Sequence, residues 1–299
     1  MIKDLPISIE SQARITQFIR HLKAKGYQRP ESFAAGVKEF IYRIEQQSIS
    51  LAAVDSEFLK SHYEYLSSRP NQRRAGALSE STIHGYLFSL KLFFNYLHQI
   101  GFLIEDPMSV LSFGKSAVTP RVVLSVSEIN LLYGVCQTFQ ESAILSLFYG
   151  CGLRRNEAGQ LNIRDVDFKS SWLYVRSGKG KKRRVIPMTK RIQSDLSNYY
   201  YEERPGQINR ETIGKERLSF MLNCRGRRMK GNTYWKVFKS ILERSGISKE
   251  VSLHHLRHSV ATHLLASGLS IEMVRDFLGH EFIETTQIYT RVDLSKYTL

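Results

Sequence analysis

The sequence predicts a mainly α-helical protein with two domains and one small β-sheet in the second domain. Apolar residues recur at helical spacing through most of residues 8–111, and this spacing stops in residues 112–123. Residues 172–188 instead alternate as the two arms of a β-hairpin do, around a turn that contains glycines. The 299 residues are enough for two domains that each bury a hydrophobic core.

The first domain, residues 1–113, is predicted to be a bundle of about four helices. One helix has apolar residues at 15, 18, 19 and 22 and is followed by Gly26. Another has them at 83, 86, 87, 90, 93, 94 and 97 and is followed by Gly101. Glycine after the last apolar position is typical of a helix end, so both helices are expected to stop there.

The loop before the second of these helices is basic, and its composition predicts a flexible segment. It covers residues 67–81, and its arginines are Arg69, Arg73 and Arg74. Hydroxyl side chains near its end are candidate helix caps, because their oxygens accept the unpaired N–H groups of a first turn. These candidates are Ser79, Ser81 and Thr82.

Residues 114–123 are predicted to be a linker, and residues 124–299 to be the second domain. Ser125 and Glu128 have the spacing of a capping box at the start of a helix. An apolar helix is expected within residues 141–153, before the hairpin. The last predicted helices cover 253–268, after Ser252, and 271–279, after Ser270.

The charge of the chain indicates a polyanionic partner. The 43 Lys and Arg residues exceed the 28 Asp and Glu residues by 15. Basic residues that meet phosphates release condensed counterions, so an excess of this size favours nucleic acid. A basic protein without such a partner has the same composition, and an anionic membrane surface is a third alternative. No long basic amphipathic helix in the sequence supports the membrane alternative.

The three cysteines, Cys136, Cys151 and Cys224, are widely spaced and form no CxxC pair. They are expected to be buried apolar side chains in a reducing compartment, not a disulfide framework or a zinc site. The N-terminus has no apolar signal core, and about 18 consecutive apolar residues occur nowhere in the chain. The sequence therefore predicts a cytoplasmic protein.

Three segments concentrate charge beside glycines or apolar positions: "CGLRRNEAGQL" (151–161), "SGKGKKRR" (177–184) and "LHHLRHSVATHLL" (253–265). Each has an ordinary structural interpretation. The arginines of the first segment suit a solvated helix start, the lysines of the second suit a soluble hairpin turn, and the histidines of the third suit a helix surface. A functional interpretation has to explain all three together.

A zinc site is one interpretation of the third segment. His254 and His258 are four residues apart and share a helical face, as metal-binding histidine pairs do. No glutamate follows His254 to complete H-E-x-x-H, and no third ligand stands at a recognised spacing. Arg257 also lies between the two histidines, where its positive charge opposes a metal cation.

A phosphate site fits these residues better. His254 and Arg257 are three apart and share a helical face. Arginine offers a planar fork of donors that matches phosphate oxygens, and histidine adds a donor that also moves a proton. Arg154 follows a glycine near a predicted helix end, and Lys179 lies at the glycine-flanked tip of the hairpin.

The chemistry of such a site is limited by what the sequence lacks. Carboxylate clusters of the kind that hold two magnesium ions are not evident, and Asp165 and Asp167 suit a surface turn. No G-x-x-x-x-G-K-[ST] loop is present for nucleotide hydrolysis. A cationic site without metal cleaves a phosphodiester if the protein supplies the nucleophile. Tyr289 is a candidate, although composition does not distinguish it from the other tyrosines.

Four motifs, in this order and at these intervals, resemble the tyrosine recombinases, or phage integrase family: "GLRRNE", "SGKGKKRRVIPM", "HHLRHSVATHLL" and "LGHEFIETTQIYT". The resemblance is close to the Xer-type and transposon-integrase branches. It spans nearly the whole chain, because "ESTIHGYLFSLKLFFNYLHQIG" resembles the N-terminal core-binding domain of the family. It implies a helical, SAM-like core-binding bundle followed by an α+β catalytic domain.

The resemblance also assigns roles to six positions, which match the family motifs residue by residue. It implies that two arginines neutralise the phosphate, that a histidine donates to it, and that a lysine protonates the departing 5′-oxygen. A second histidine assists proton transfer at the tyrosine nucleophile, and Glu157 supports the first arginine. These catalytic residues are Arg154, Lys179, His254, Arg257, His280 and the nucleophile Tyr289. The remaining histidines of the third segment, His255, His258 and His263, match no catalytic position.

The resemblance implies a site-specific recombinase or integrase that acts on double-stranded DNA as a homotetramer, or with related subunits, and forms a 3′-phosphotyrosine link. Two alternatives use the same motifs. A type IB topoisomerase-like enzyme relaxes DNA without pairing sites, and a catalytically idle relative binds DNA without cleaving it. The candidates for DNA contact in the N-terminal bundle are Arg73, Arg74 and Lys91.

No cofactor, metal ion or nucleotide is expected to be required, because the tyrosine and the cations supply the groups that cleavage needs. Formation of the covalent protein–DNA adduct is therefore expected to be equally fast with and without an excess of EDTA. The measurement is the adduct yield on denaturing gels over time. Loss of the adduct in EDTA, with recovery on adding Mg²⁺, is the outcome that contradicts this prediction.

Overall fold

The computed structural model describes residues 5–72, 75–111, 122–176 and 184–279. The chain divides into two compact units, Met1–Val118 and Thr119–Leu299. The linker predicted at 114–123 lies mostly outside the described residues, so the predicted domain boundaries stay predictions. No described helix has both the length and the apolar character needed to cross a membrane.

The first unit contains four α-helices within its described part, as the sequence predicts. The chain turns after the first and last of these helices at Gly26 and Gly101, whose φ angles of 85° and 70° favour glycine. Of the three candidate caps, Ser79 caps the last helix, because its side chain accepts a hydrogen bond from the Thr82 N–H. The helices are α1 (Ile9–Ala24), α2 (Ala34–Gln46), α3 (Ser56–Ser68) and α4 (Glu80–Gln99).

The core of the first unit is largely aromatic. Phe93 and Phe94 of α4 contact Phe18 of α1 and Phe40 of α2, with ring centroids 5.3 and 5.6 Å apart in edge-on geometry. All four rings are buried. Edge-to-face contacts add to the free energy gained from burying apolar area, so they hold α4 against α1 and α2.

Arg69 is buried, which differs from its predicted place in a flexible basic loop. Its Nη2 donates to Glu39 Oε2 on α2 at 2.8 Å, and Tyr65 donates to Oε1 of the same carboxylate at 3.3 Å. Burial raises the pKa of Glu39, and the charge and hydrogen bonds of Arg69 oppose that shift. A charged side chain at a helix end can be buried when a neighbouring helix carries a residue of opposite charge. The sequence of the loop alone does not identify that partner. Arg73 and Arg74 lie outside the described residues.

The second unit is helical around one small sheet, as predicted. A capping box starts its first helix: Glu128 N–H donates to Ser125 Oγ at 3.1 Å, and Ser125 N–H donates to Glu128 Oε2 at 2.7 Å. Short π-helical turns, Ser146–Gly150 and Tyr199–Glu203, extend two of the helices. The α-helices are α5 (Val126–Gly134), α6 (Phe139–Leu145), α7 (Arg155–Gln160), α8 (Lys190–Asn198), α9 (Arg204–Gln207), α10 (Gly231–Ser245), α11 (Leu253–Ala266) and α12 (Ile271–Leu278).

The sheet has three antiparallel strands in its described part: β1 (Val166–Asp167), β2 (Trp172–Val175) and β3 (Arg184–Pro187), in the order β1-β2-β3. Leu173 of β2 lies opposite Ile186 of β3, which confirms the predicted hairpin arms; residues 177–183 lie outside the described part. The prediction that Asp165 and Asp167 form a surface turn is wrong in one respect. Asp165 is buried and forms an ion pair with Arg176.

The helix α11 is buried along most of its length. Its residues Leu256, Arg257, Ser259 and Ala261 are at most 1% exposed, although only some of them are apolar. A helix that is buried on nearly all sides must satisfy its polar side chains internally. The Ser259 hydroxyl does so by accepting from the Leu124 N–H at 2.9 Å.

The cysteines are free, but the prediction that all three are buried is wrong. Cys151 is buried, Cys136 is half-buried and Cys224 is exposed. Burial raises the pKa of the Cys151 thiol to about 12, so this side chain stays protonated and behaves as a small apolar group.

Arg69→Met is expected to destabilise the first unit by about 3 kcal/mol, because it leaves the Glu39 carboxylate buried without its partner. Amide hydrogen exchange in peptides from α2 and α3 measures the free energy of local opening. Lys60→Met, at an exposed position of α3, is the control. The double variant Glu39→Leu, Arg69→Met is expected to recover most of the loss, and equal exchange in wild type and Arg69→Met contradicts the prediction.

Candidate active site

Four elements of the second unit meet at one buried carboxylate, that of Glu157 in the first turn of α7. Arg154 directly precedes α7, Arg184 begins β3, and Arg257 projects from the middle of α11. The end of α12, at Leu278 and Gly279, completes the site.

The Glu157 carboxylate is bonded by two of these arginines. Its side chain is only 3% exposed. Arg184 donates from Nη1 to Oε1 at 3.1 Å and from Nη2 to Oε2 at 2.9 Å, a two-point contact. Arg154 donates from Nη1 to Oε1 at 2.7 Å, and its backbone N–H donates to Oε2 at 2.9 Å. These contacts fix the plane of the carboxylate and the direction of both guanidinium groups.

The Glu157 carboxylate is ionised under ordinary conditions. Burial alone raises its pKa, but hydrogen bonds and charge from Arg184, with hydrogen bonds from Arg154, outweigh burial and lower the pKa to about 2. Because the carboxylate stays negative, it compensates part of the positive charge of the arginines around it. The guanidinium groups of Arg154, Arg184 and Arg257 and this single carboxylate together carry a net charge of about +2.

Arg257 approaches the same carboxylate from α11, with its Nη1 4.0 Å from Glu157 Oε2. Its side chain is 1% exposed. It donates to the backbone carbonyl of Gly152 and, at 2.5 Å, to that of Leu278. Arg154 likewise donates from Nη2 to the Gly279 carbonyl at 3.0 Å. Both arginines therefore hold the C-terminal end of α12, where helix carbonyls lack partners of their own.

Two glycines make this close packing possible. Gly152 has a φ of 57°, and a Cβ there would lie 3.0 Å from Leu278 Cδ2 and 3.2 Å from Phe277 Cε1. Gly279 has a φ of 64°, and a Cβ there would lie 3.0 Å from Arg184 Nη1. A side chain at either position is therefore strained by the backbone and crowded by the neighbouring group.

The histidines of α11 fall into different environments. His254 is exposed, with its ring centroid 4.3 Å from that of the buried His258. His255 Nδ1 accepts a hydrogen bond from the Ser252 N–H at 2.8 Å, and so takes part in capping the N-terminus of the helix. His263 is buried beside the Tyr149 hydroxyl, 2.8 Å from its Nδ1, and burial lowers the pKa of His263. His254 therefore has the exposure that a site residue needs, and His255 and His263 have structural contacts.

The structure brings together three of the predicted site residues, Arg154, Glu157 and Arg257. It places a fourth, His254, three positions before Arg257 on α11. Lys179, His280 and Tyr289 lie outside the described residues. Within residues 5–72, 75–111, 122–176 and 184–279, no three His, Cys, Asp or Glu side chains are grouped so that they could hold a metal ion.

Arg184 is a site residue that is not among those predicted from the sequence. Residues alternate between the two faces of β3, so Arg184 lies on the same face as the buried Ile186. This alternation could have shown from the sequence that Arg184 points inward. That signal shows burial, but it does not show which carboxylate the arginine meets, because α7 and β3 come together only in the folded chain.

Comparison with known families gives two matches that together cover most of the chain. Residues 123–296 match the phage integrase family, and residues 12–113 match the phage integrase SAM-like domain. The first match alone covers more than half of the chain and includes all the predicted catalytic positions.

Curated relatives agree with these matches. The chain is 36% identical over 220 residues to a protein named tyrosine recombinase XerD from Listeria innocua, which is 72% of each chain. It is 31% identical, also over 220 residues, to tyrosine recombinase XerC from Syntrophus aciditrophicus. It is 27% identical over 278 residues to a tyrosine recombinase from Pseudothermotoga lettingae, covering 93% of this chain and 92% of the relative.

Solved structures share the fold. The integrase of transposon Tn1549, in complex with a circular intermediate DNA, has a TM-score of 0.73 at 18% identity and covers 92% of this chain and 94% of that one. The XerH site-specific recombinase bound to a palindromic difH substrate has a TM-score of 0.71 at 21% identity, covering 87% and 75%. These similarities confirm the predicted fold class, a helical bundle followed by a mainly helical domain with a small sheet.

Glu157→Gln is expected to lower the free energy of unfolding at pH 7, and this loss is expected to become smaller as the pH falls. The folded-state pKa, about 2, lies below the ordinary value of 4.5, so the contribution is present above pH 4.5 and is lost as pH falls towards 2. The shift corresponds to on the order of 3 kcal/mol.

Denaturant unfolding of wild type and Glu157→Gln between pH 7 and pH 3 measures the difference. Glu250→Gln, at an exposed position, is the control and is expected to change the free energy of unfolding by less than about 0.5 kcal/mol. A difference between wild type and Glu157→Gln that grows as the pH falls shows that the sign of the argument is wrong.

Proposed function

The chain belongs to the phage integrase family of tyrosine recombinases, enzymes that cleave and rejoin DNA, and we propose that it does so through a covalent 3′-phosphotyrosine link at Tyr289. The similarity to XerD and XerC confirms the Xer-type resemblance of its motifs. The observation that carries the proposal is the cluster of three arginines around one ionised carboxylate, with Arg154 as its most exposed member.

Arg154 and Arg257 hold the scissile phosphate in this proposal. Arg154 is 24% exposed and donates from Nη1 to Glu157 and from Nη2 to the Gly279 carbonyl. A guanidinium group has more N–H donors than these two bonds use, so donors remain for phosphate oxygens. Arg257 reaches a phosphate oxygen by exchanging one of its carbonyl partners, Gly152 or Leu278, for that oxygen. Donors of this kind stabilise the charge of the transition state, and removing one typically slows a reaction by about 100- to 1000-fold.

The remaining roles follow the family motifs. Tyr289 supplies the nucleophilic oxygen, and because the ordinary pKa of tyrosine is about 10, it needs an acceptor for its proton. His254, exposed on α11, assists that proton transfer. His280 follows directly after Gly279, the residue that Arg154 holds, and donates to the phosphate. Lys179 protonates the departing oxygen.

The bond changes balance without any other reagent. The tyrosine oxygen forms a bond to phosphorus, the bond from phosphorus to the 5′-oxygen breaks, and that oxygen takes up one proton. One phosphate ester replaces another, so the 5′-hydroxyl of a second strand reverses the step and joins the strands.

The DNA partner and the assembly are proposed from charge and from the relatives. The net charge of +15 favours DNA, and the solved structures of the Tn1549 integrase and XerH contain DNA. Lys91 is exposed on α4 and is a candidate phosphate contact, with Arg73 and Arg74. We infer a homotetramer on two DNA sites in the cytoplasm, with residues 1–113 as the core-binding domain, 114–123 as linker and 124–299 as the catalytic domain.

Tyr289→Phe is expected to abolish the covalent adduct, because phenylalanine has no oxygen to attack phosphorus. The substrate is a nicked duplex that carries the site this protein selects from random-sequence DNA, and denaturing gels measure the adduct. Tyr297→Phe is the matched control, since it removes a hydroxyl from the same C-terminal stretch and is expected to leave the adduct unchanged.

Both variants are expected to bind the duplex with wild-type affinity in gel-shift assays. No adduct with wild-type protein indicates an idle DNA-binding relative. Relaxation of supercoiled DNA without joining of two sites indicates the topoisomerase alternative. An adduct that persists in Tyr289→Phe contradicts the choice of nucleophile.

A further inference from the structure

We propose that Arg184 is a positioning residue for DNA cleavage, which acts through Glu157 to keep the guanidinium group of Arg154 directed at the scissile phosphate. This proposal rests on the proposed function. It concerns a residue to which none of the family motifs in the sequence assigns a role.

The three groups differ in their depth below the surface. Arg184 is 8% exposed, Glu157 is 3% exposed and Arg154 is 24% exposed, so Arg184 and Glu157 lie inside and Arg154 lies outermost. Arg184 and Arg154 share Glu157 Oε1, at 3.1 and 2.7 Å. Arg184 therefore fixes the position of the Glu157 carboxylate, to which Arg154 is hydrogen-bonded.

Arg184 and Arg154 also compete for the Glu157 carboxylate. Arg184 occupies both oxygens of Glu157, and the side chain of Arg154 contacts one of them through Nη1. Without Arg184, a two-point contact between Arg154 and Glu157 becomes the favourable arrangement, since carboxylates pair with arginine in that geometry. Arg154 then turns its donors away from the phosphate.

The place of Arg184 in the fold restricts its side chain. It begins β3, opposite Val175 of β2, and a Cβ on Gly279 would lie 3.0 Å from its Nη1 and 3.1 Å from its Cδ. The side chain is thus held between the sheet, α7 and the end of α12. Lysine cannot reproduce the planar two-point contact, although it keeps the positive charge.

The arrangement has a consequence for pH dependence. The charged groups that face Glu157 are Arg154 before α7, Arg184 on β3 and Arg257 on α11. Arg184 lowers the pKa of Glu157 more than any other of them, against the effect of burial. Without Arg184, Glu157 takes up a proton at higher pH, and cleavage is expected to fail at a higher pH than in the wild type.

The experiment compares Arg184→Lys and Arg184→Gln with wild type on the nicked duplex. Arg176→Gln is the matched control, because Arg176 directly follows the adjacent strand β2 and pairs with a different buried carboxylate, Asp165. Gel shifts give the Kd for DNA, and single-turnover assays between pH 4 and pH 9 give the rate of adduct formation.

Arg184→Lys is expected to slow adduct formation by about 10- to 100-fold with little change in Kd, because a small misplacement of a catalytic group has effects of that size. The acid limb of its pH profile is expected to move upward. A methylphosphonate at the scissile position, which removes one phosphate charge, is expected to recover most of the lost rate because less charge needs to be stabilised. Arg176→Gln is expected to match wild type in both measurements.

Wild-type rate and pH profile in Arg184→Lys overturn the proposal, as does a loss confined to Kd or an equal loss in Arg176→Gln. If Arg184→Gln does not fold, Arg184→Lys decides the question by itself. A wild-type protein that forms no adduct at all means that the proposed function has failed, which is distinct from failure of the role of Arg184.

Discussion

The ionised carboxylate of Glu157 is the constraint on which the rest of the site depends. Arg154, Arg184 and Arg257 reach one place from α7, β3 and α11, and their positive charges repel. Two unit charges 4 Å apart interact by about 4 kcal/mol at the effective dielectric of a partly buried site. One carboxylate between them offsets that repulsion and fixes their geometry, while leaving a surplus of positive charge for a phosphate.

Backbone carbonyls supply the second part of the arrangement. The last carbonyls of a helix have no partner within it, and α12 offers those of Leu278 and Gly279 to Arg257 and Arg154. The two arginines are therefore linked to the end of α12, which leads directly into the segment that contains His280 and Tyr289. Gly152 and Gly279 permit this contact because both have positive φ angles and neighbours within van der Waals distance of a Cβ.

Local features of the fold were predictable from sequence, because they depend on neighbours along the chain. The helix ends at Gly26 and Gly101, the box at Ser125 and the hairpin arms are of this kind. Contacts between segments that are distant in the sequence were not predictable. Arg69 pairs with Glu39 thirty residues away, and β1 gains its strand character only by pairing with β2. Propensity and periodicity carry no information on such partners.

The candidate site divides in the same way. Charge and spacing made Arg154, His254 and Arg257 candidates for a phosphate site, and the resemblance to the family gave them roles and added Glu157. The structure places Glu157 on α7, Arg154 directly before it, and the other two on α11. Arg184 was missed because strand alternation shows that it points inward, but not what it meets. The roles of Lys179, His280 and Tyr289 stay predictions.

Mass spectrometry of the covalent adduct tests the central claim most directly. After digestion of the trapped complex with trypsin and nuclease, the account predicts one modified peptide, with a nucleotide joined through its 3′-phosphate to the oxygen of Tyr289. A nucleotide on any other residue, or one joined through a 5′-phosphate, contradicts it.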